Sequence, residues 1–260
     1  MDQQTGYVYQ SIENGVATIE FYHPQSNSLP SAILDQLAET IKQVSADAAT
    51  KVMVLCSAGE KVFCAGASFD ELAAIQTEEE GLRFFSGFAH VINAMRKAPQ
   101  FVIARVQGKC IGGGVGLAAA ADYAIATTSA DVKLSELAVG IGPFVVGPAV
   151  QRKMGLSAFS QLAIDAGCWR SAEWAGKNGL FAEVYTDITG VDDAVAKLAN
   201  TLAKSSPDAM CELKKVCWEG TDHWDTLLTE RAGISGRLIL SDYSKAFIQQ
   251  FKAAAAAKNK

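Results

Sequence analysis

The sequence has 260 residues, of which 49% are hydrophobic and 20% are charged. A chain of this length can bury a sizeable core as one large domain, or as a domain with a helical appendage. Its 23 basic and 28 acidic residues give a net charge of −5. A mildly acidic surface repels a polyanion, which disfavours nucleic acid as a partner.

Secondary-structure patterns alternate along the first two thirds of the chain and then become helical. β-branched and aromatic runs predict strands at 7–12, 16–22, 52–56, 101–106, 123–127 and 182–185. Helices are predicted at 30–45, 77–97, 115–121, 156–167, 172–178, 191–205, 207–218, 224–228 and from 245 onward. This order indicates an α/β core followed by a helical C-terminal part.

Segments for export, membrane insertion and metal binding are not apparent. The opening MDQQTGYVYQ has neither a basic nor an apolar region of a signal sequence, which predicts a cytoplasmic location. The longest uncharged stretch, 110–121, contains four glycines and is too short to cross a bilayer. Six scattered cysteines without a CxxC pair, and three histidines, show no metal-binding spacing and predict reduced thiols and no metal.

Two glycine loops each connect a strand to a helix. The first is CAGAS at 64–68, and the second contains three consecutive glycines, 112–114. Free backbone N–H groups at such turns can converge on one oxygen atom of a ligand. A dinucleotide fingerprint would need glycine at Leu117, and a P-loop would need Ser or Thr at Cys110, so both fail. Glycines that serve only tight turns remain an alternative.

Glu136 is the candidate acid or base. It stands in the mostly apolar run KLSELAVGIGPFVVG, where burial would raise the pKa of a carboxyl group. A solvent-facing glutamate is the alternative, because Glu is rarely buried without a partner. Asp70 and Glu71 fit the acidic first turn of a helix. The sequence has no G-x-S-x-G elbow, which argues against an acyl-serine hydrolase.

Four ordered segments resemble those of the crotonase superfamily, which includes enoyl-CoA hydratases and isomerases. They are FCAGASFDEL, QGKCIGGGVGLAAAADYAIAT, SELAVGIGP and SAEWAGKNGLFAEVY. The resemblance implies an α/β fold, a spiral of β-β-α units with a C-terminal helical region. It implies a core at 1–195 that holds an acyl-CoA site, a helical trimerisation region at 196–260, and a homotrimer or hexamer.

The same resemblance implies a set of site residues. The N–H groups of Ala67 and Gly113 would hold the thioester carbonyl oxygen, and Glu136 would be the catalytic carboxyl group. Residues expected on the coenzyme A side are Ala65, Ser68, Phe247, Phe251 and Lys252. Coenzyme A would enter as part of the substrate, with no separate cofactor.

Two departures from the family pattern bear on the reaction. Typical hydratases carry a glutamate two residues after the glycine triplet, where this chain has Gly116, so only Glu136 remains. One carboxyl group suffices to move a proton between two carbons, so double-bond isomerisation is preferred. The bulky run 144–146 should also reshape the acyl pocket.

Two other functions stay open. One is hydration of a 2-enoyl-CoA, with Glu71 or a bound water replacing the missing carboxylate. The other is a non-catalytic family member that binds acyl-CoA or RNA.

Overall fold

The computed structural model describes residues 5–258, with side chains described through residue 254. Residues 1–4 lie outside the described residues. They belong to the opening segment on which the prediction of a cytoplasmic location rests. The strands are β1 (Tyr7–Glu13), β2 (Val16–Tyr22), β3 (Ser28–Leu29), β4 (Val52–Ser57), β5 (Val62–Cys64), β6 (Gly66–Ala67), β7 (Val102–Val106), β8 (Lys109–Ile111), β9 (Tyr123–Thr127), β10 (Val132–Lys133) and β11 (Glu183–Tyr185). The helices are α1 (Ser31–Ala46), α2 (Phe69–Ala74), α3 (Glu78–Lys97), α4 (Gly113–Ala120), α5 (Gly147–Ile164), α6 (Ala172–Lys177), α7 (Ile188–Ala203), α8 (Pro207–Cys217), α9 (Trp224–Leu238) and α10 (Asp242–Lys258).

A six-stranded sheet organises the core in the order β1-β2-β4-β7-β9-β11. Strand β1 is antiparallel to β2, and the other neighbours are parallel. After β2, β4, β7 and β9 the chain forms one or two short strands and then a helix. The short strands pair as β10-β8-β5 and β3-β6. This repeated path is a succession of β-β-α units wound into a spiral, which confirms the predicted fold class.

Two helices differ from their predicted lengths by more than a few residues. Helix α5 begins at Gly147 instead of residue 156. Gly155, at φ 77°, divides it into two helical segments, and the sequence pattern predicted only the second of them. Helix α9 runs to Leu238, well past the predicted end at 228.

Helix α7 packs against the core sheet. A separate apolar cluster joins it to strands β4, β7 and β9 through Val52, Val54, Ile103, Ile125, Val191, Val195 and Ala199. The expected boundary between 195 and 196 therefore falls inside a continuous helix that packs on the sheet. The trimerisation role expected of 196–260 stays a prediction.

A buried ion pair joins helix α8 to the core. Lys214 Nζ lies 2.9 Å from Asp122 Oδ2 and donates to the carbonyl oxygens of Met95 and Gln100 at 2.8 and 2.6 Å. The indole N–H of Trp218 donates to the other carboxylate oxygen of Asp122 at 2.7 Å. Burial lowers the pKa of Lys214, and the charge of Asp122 opposes that shift. Asp122 is thus a structural residue.

The last two helices, α9 and α10, pack against the helices α3 and α2. Helix α9 crosses α3 so closely that a Cβ on Gly81 would lie 2.6 Å from the Cα of Gly236. Helix α10 packs on the short helix α2. Within the described residues, no helix is both long and apolar enough to cross a membrane, and no group of three or more potential metal ligands occurs.

Candidate functional site

A small cavity of about 60 Å³ lies where the two glycine loops meet. Both loops line it, together with Glu136 and the Ser235 side of α9. Its remaining walls are mainly apolar and come from Phe69, Leu72, Phe85, Phe88, Val139, Ile141, Val145 and Val146. We call it the inner cavity. Its composition suits an apolar group next to a few polar atoms.

The first loop places the Ala67 N–H group at this cavity. The N–H of Ser68 donates to the carbonyl of Leu29 at 3.3 Å across the β3-β6 pair. Since neighbouring N–H groups of a strand point to opposite sides, the N–H of Ala67 points away from β3. Gly66 adopts φ +84°, and a Cβ there would lie 3.2 Å from the nitrogen of Gly113. The two loops are therefore in direct contact.

The second loop places the Gly113 N–H group at the same cavity. Gly112 adopts φ 52° and ψ −113° as the N-cap of α4, and Gly113 is the first residue of that helix. The N–H groups of a first helical turn have no acceptor within the helix. A Cβ on Gly113 would lie 2.2 Å from Phe88 Cε1, so a larger residue cannot enter without displacing the ring. The structure thus brings the two predicted amides, Ala67 and Gly113, to one cavity.

Glu136 directs its carboxylate at the second loop. A Cβ on Gly112 would lie 3.0 Å from Glu136 Oε1. The other oxygen, Oε2, is buried and has no hydrogen-bond partner among the described residues. Burial raises the pKa of Glu136 to about 7, and a hydrogen bond from its own backbone N–H opposes the shift. This placement is unlike the solvent-facing alternative, and it leaves the carboxyl able to take up or release a proton near neutral pH.

Val146 fills the space beside Gly116. A Cβ on Gly116 would lie 2.4 Å from Val146 Cγ1 and 2.6 Å from Val146 Cβ. Val145 and Val146 both line the inner cavity, whereas the ring of Phe144 packs beside Gly142 instead. The bulky segment after Pro143 therefore shapes the cavity through its two valines.

Glu71 and Asp70 have other partners. Glu71 Oε2 accepts hydrogen bonds from the Ser31 N–H and hydroxyl at 2.9 and 2.7 Å, which ties it to the start of α1. It does not line the inner cavity, so it is badly placed to replace the missing carboxylate. Asp70 accepts from Gln25 at 2.7 Å and pairs with Lys252 at 2.8 Å.

A larger groove of about 700 Å³ adjoins the inner cavity and shares Ala65 and Ala67 with it. We call it the outer groove. Helix α10 contributes Phe247, Phe251 and Lys252 to its wall. The ring of Phe251 stacks on Phe69 with centroids 4.3 Å apart. Four of the five residues expected on the coenzyme A side thus line one groove.

Ser68 is the exception and requires a correction. Its side chain is 3% exposed and accepts a hydrogen bond from the Glu71 N–H at 3.4 Å, as the N-cap of α2. It lines neither the inner cavity nor the outer groove. Serine at this point of CAGAS ends a strand and starts a helix, and that role uses its hydroxyl group.

Sequence patterns missed several lining residues. Phe88 belongs to the predicted helix 77–97, where the aromatic run at 84–88 marked a buried face but not a contact with Gly113. Ser235 of α9, and Lys133 and Trp169 of the outer groove, come from segments far apart in the sequence. No local signal connects them.

Comparisons with known proteins match most of the chain. Residues 11–250 match the family model described as enoyl-CoA hydratase/isomerase. The chain is 33% identical over 195 residues to the mevalonyl-coenzyme A hydratase of Beauveria bassiana, covering 71% of this chain and 68% of that protein. It is 27% identical over 209 residues to the carnitinyl-CoA dehydratase of Proteus mirabilis, covering 80% and 79%. The solved structure of enoyl-CoA hydratase from Bacillus halodurans superposes with a TM-score of 0.86 at 19% identity, over 94% of this chain and 99% of that one, which is a likeness of fold.

Proposed function

Because the chain belongs to the enoyl-CoA hydratase/isomerase family of the crotonase superfamily, we propose that it isomerises the double bond of an enoyl-CoA thioester. In this proposal the thioester carbonyl lies in the inner cavity and the carrier lies in the outer groove. The contact between the two glycine loops supports this placement.

The N–H groups of Ala67 and Gly113 stabilise the enolate oxygen. Negative charge develops on the carbonyl oxygen when a proton leaves the neighbouring carbon. Main-chain donors do not titrate and are held in place by β6 and by the start of α4. One such donor in a site that excludes water can lower the barrier by roughly 3 kcal/mol.

Glu136 transfers the proton. Its carboxylate removes a proton from the carbon next to the thioester carbonyl, and the electron pair moves into the conjugated enolate. The resulting carboxyl group returns the proton to the carbon at the far end of that system, and the double bond shifts. Atoms and charge balance without water or a second acid. A pKa of about 7 suits a group that must both accept and donate.

The contact between Gly116 and Val146 is the observation that favours isomerisation over hydration. Among the described residues, Glu136 is the one carboxylate that lines the inner cavity. Hydration needs one group to activate water and another to supply a proton, work that two carboxyl groups commonly share. Here the space beside Gly116 is occupied by a valine side chain.

Hydration is the second candidate. It is favoured by the names of the relatives in Beauveria bassiana and Proteus mirabilis, a hydratase and a dehydratase. In this case Glu136 would have to handle both the water and the proton.

Product masses in deuterated water separate the two reactions. We expect 3-hexenoyl-CoA to become 2-hexenoyl-CoA without added water, and to carry solvent deuterium on carbon to the extent that the Glu136 carboxyl exchanges its proton with solvent before returning it. Crotonyl-CoA should gain no water. The Glu136→Gln variant should lose about 10²- to 10⁴-fold in rate. A mass gain of one water from crotonyl-CoA would establish hydration instead. Activity of Glu136→Gln within about threefold of wild type would remove Glu136 from the mechanism.

A further inference from the structure

One residue on the buried face of helix α9, Ser235, lines the inner cavity. The buried residues of this helix recur at helical spacing, and Ser235 is the one among them that bears a hydroxyl group. They are Trp224, Leu228, Ala232, Ser235 and Gly236. Ser235 is only 1% exposed. Helix α9 therefore places a hydroxyl group in a wall that is otherwise mainly apolar.

The fold does not use the hydroxyl group of Ser235. Within the described residues this hydroxyl makes no hydrogen bond, whereas the buried hydroxyl of Ser244 donates to the carbonyl oxygen of Leu238 at 3.1 Å. Packing does not require it either, because the close crossing with α3 is made by Gly81 and Gly236, and alanine beside Gly236 would be as small as serine. A buried hydroxyl without a partner costs free energy. A ligand that supplies the partner recovers that cost.

Ser235 lies in the part of the cavity that is away from the carrier. Five residues line both the inner cavity and the outer groove and mark the passage between them: Ala65, Ala67, Phe69, Ser135 and Val139. Ser235 lines the inner cavity alone. A thioester whose carbonyl oxygen is held by the N–H groups of Ala67 and Gly113, with its carrier in the outer groove, therefore presents its acyl group to Ser235.

The charge of the lining also restricts the acyl group. Among the described residues that line the inner cavity there is no Lys, Arg or His, and Glu136 is the one ionisable side chain. A carboxylate on the acyl group would leave water without gaining a cation, and it would lie in the same cavity as another carboxyl group. A neutral hydroxyl group on the acyl chain can both donate to and accept from the serine hydroxyl. The lining thus fits a neutral polar group on an otherwise apolar chain.

We propose that Ser235 is a specificity-determining residue, which selects acyl groups with a hydroxyl group on a distal carbon over unsubstituted and carboxylated chains. The inference rests on the proposed function, since it takes the thioester carbonyl to lie at Ala67 and Gly113, and it names the class of acyl group for that site. In the complex the serine hydroxyl and the substrate hydroxyl form a hydrogen bond. An unsubstituted chain leaves the buried serine hydroxyl without a partner, which disfavours that substrate.

The test compares three thioesters of equal carbon number on the full-length protein. They are 3-hexenoyl-CoA, 6-hydroxy-3-hexenoyl-CoA and 3-hexenedioyl-CoA, which ends in a carboxylate. Ultraviolet absorbance of the conjugated 2-enoyl thioester measures kcat/KM. The variant is Ser235→Ala, and its matched control is Ser86→Ala, which changes a partly exposed serine of α3 that lines neither the inner cavity nor the outer groove. Thermal melting establishes that each variant is folded.

We expect wild type to prefer the hydroxylated thioester to the unsubstituted one by about tenfold in kcat/KM, and the carboxylated thioester to be the poorest of the three. Ser235→Ala should remove the preference for the hydroxyl group, and Ser86→Ala should keep it. A second measurement needs no turnover. By calorimetry, the saturated 6-hydroxyhexanoyl-CoA should bind wild type about tenfold more tightly than hexanoyl-CoA, and Ser235→Ala should abolish the difference.

The outcomes separate this inference from the proposed function. If wild type isomerises 3-hexenoyl-CoA but has the same selectivity as Ser235→Ala, or prefers the unsubstituted or carboxylated chain, the role of Ser235 is wrong while the proposed function stands. If no 3-enoyl thioester is isomerised but the difference in binding depends on Ser235, the role of Ser235 stands and the proposed isomerisation falls. If wild type binds none of the thioesters, both fall.

Discussion

Val146 occupies the volume into which a side chain on Gly116 would project, since a Cβ there would lie 2.4 Å from Val146 Cγ1. Gly116 lies in α4 and Val146 directly precedes α5, and both residues are buried. The missing carboxylate and the bulky segment after Pro143 are therefore parts of one packing arrangement. A side chain at position 116 therefore requires a smaller residue, or a shift, at position 146.

The first prediction concerns this pair. Gly116→Glu alone should lower the free energy of unfolding by about 1–3 kcal/mol, because the new side chain overpacks against Val146. Adding Val146→Gly should recover part of that loss and permit water addition to crotonyl-CoA. Urea unfolding and product mass measure the two effects. A single variant as stable as wild type would show that the two side chains do not compete for space.

The second prediction is a pH dependence of stability. Burial raises the pKa of Glu136 from 4.5 to about 7, so the folded state binds more protons than the unfolded state between these values. The contribution of this group to the free energy of unfolding therefore falls as pH rises through that window. Glu136→Gln should exceed wild type in stability by about 3 kcal/mol at pH 8 and match it at pH 4. Denaturant unfolding at both pH values measures the difference.

The control for that experiment is Glu230→Gln, an exposed residue of α9. It should follow the wild-type stability at both pH values. Equal stability of Glu136→Gln and wild type at pH 8 would mean that the Glu136 carboxylate is not destabilised by burial.

The third prediction is a pH dependence of rate. Proton removal requires the ionised form of Glu136, so kcat/KM for 3-hexenoyl-CoA should rise with pH and level off above about 7. The residual activity of Glu136→Gln should lack this step. A wild-type profile that is flat from pH 5 to pH 8 would assign the proton transfer to another group.

The fourth prediction concerns the buried ion pair. Lys214→Met leaves the buried Asp122 without its ion-pair partner, which should lower the free energy of unfolding by roughly 3–5 kcal/mol. The neighbouring Lys215→Met removes an exposed lysine that pairs with Glu212, and its unfolding midpoint should stay near that of wild type. Urea denaturation distinguishes the two. Similar midpoints for both variants would show that the buried pair contributes no stability.

The sequence was informative where chemistry and pattern are local. The long strands, most helices and both glycine loops follow from composition and spacing, and Ala67, Gly113 and Glu136 do lie at one cavity. Strands β3, β5, β6, β8 and β10 have only two or three residues, too few to show a period. The N-cap role of Ser68 and the contact between Gly116 and Val146 depend on tertiary packing.

The crossing of α3 and α9 has a consequence for the size of the inner cavity. Gly81 and Gly236 bring these helices into backbone contact, and Ser235, next to the crossing point, forms one wall of the inner cavity. A methyl group at Gly81 would push α9 outward and move that wall with it. The distance between the two helix axes thus sets the position of this wall, so that Gly81, which does not line the inner cavity, can change the cavity's size.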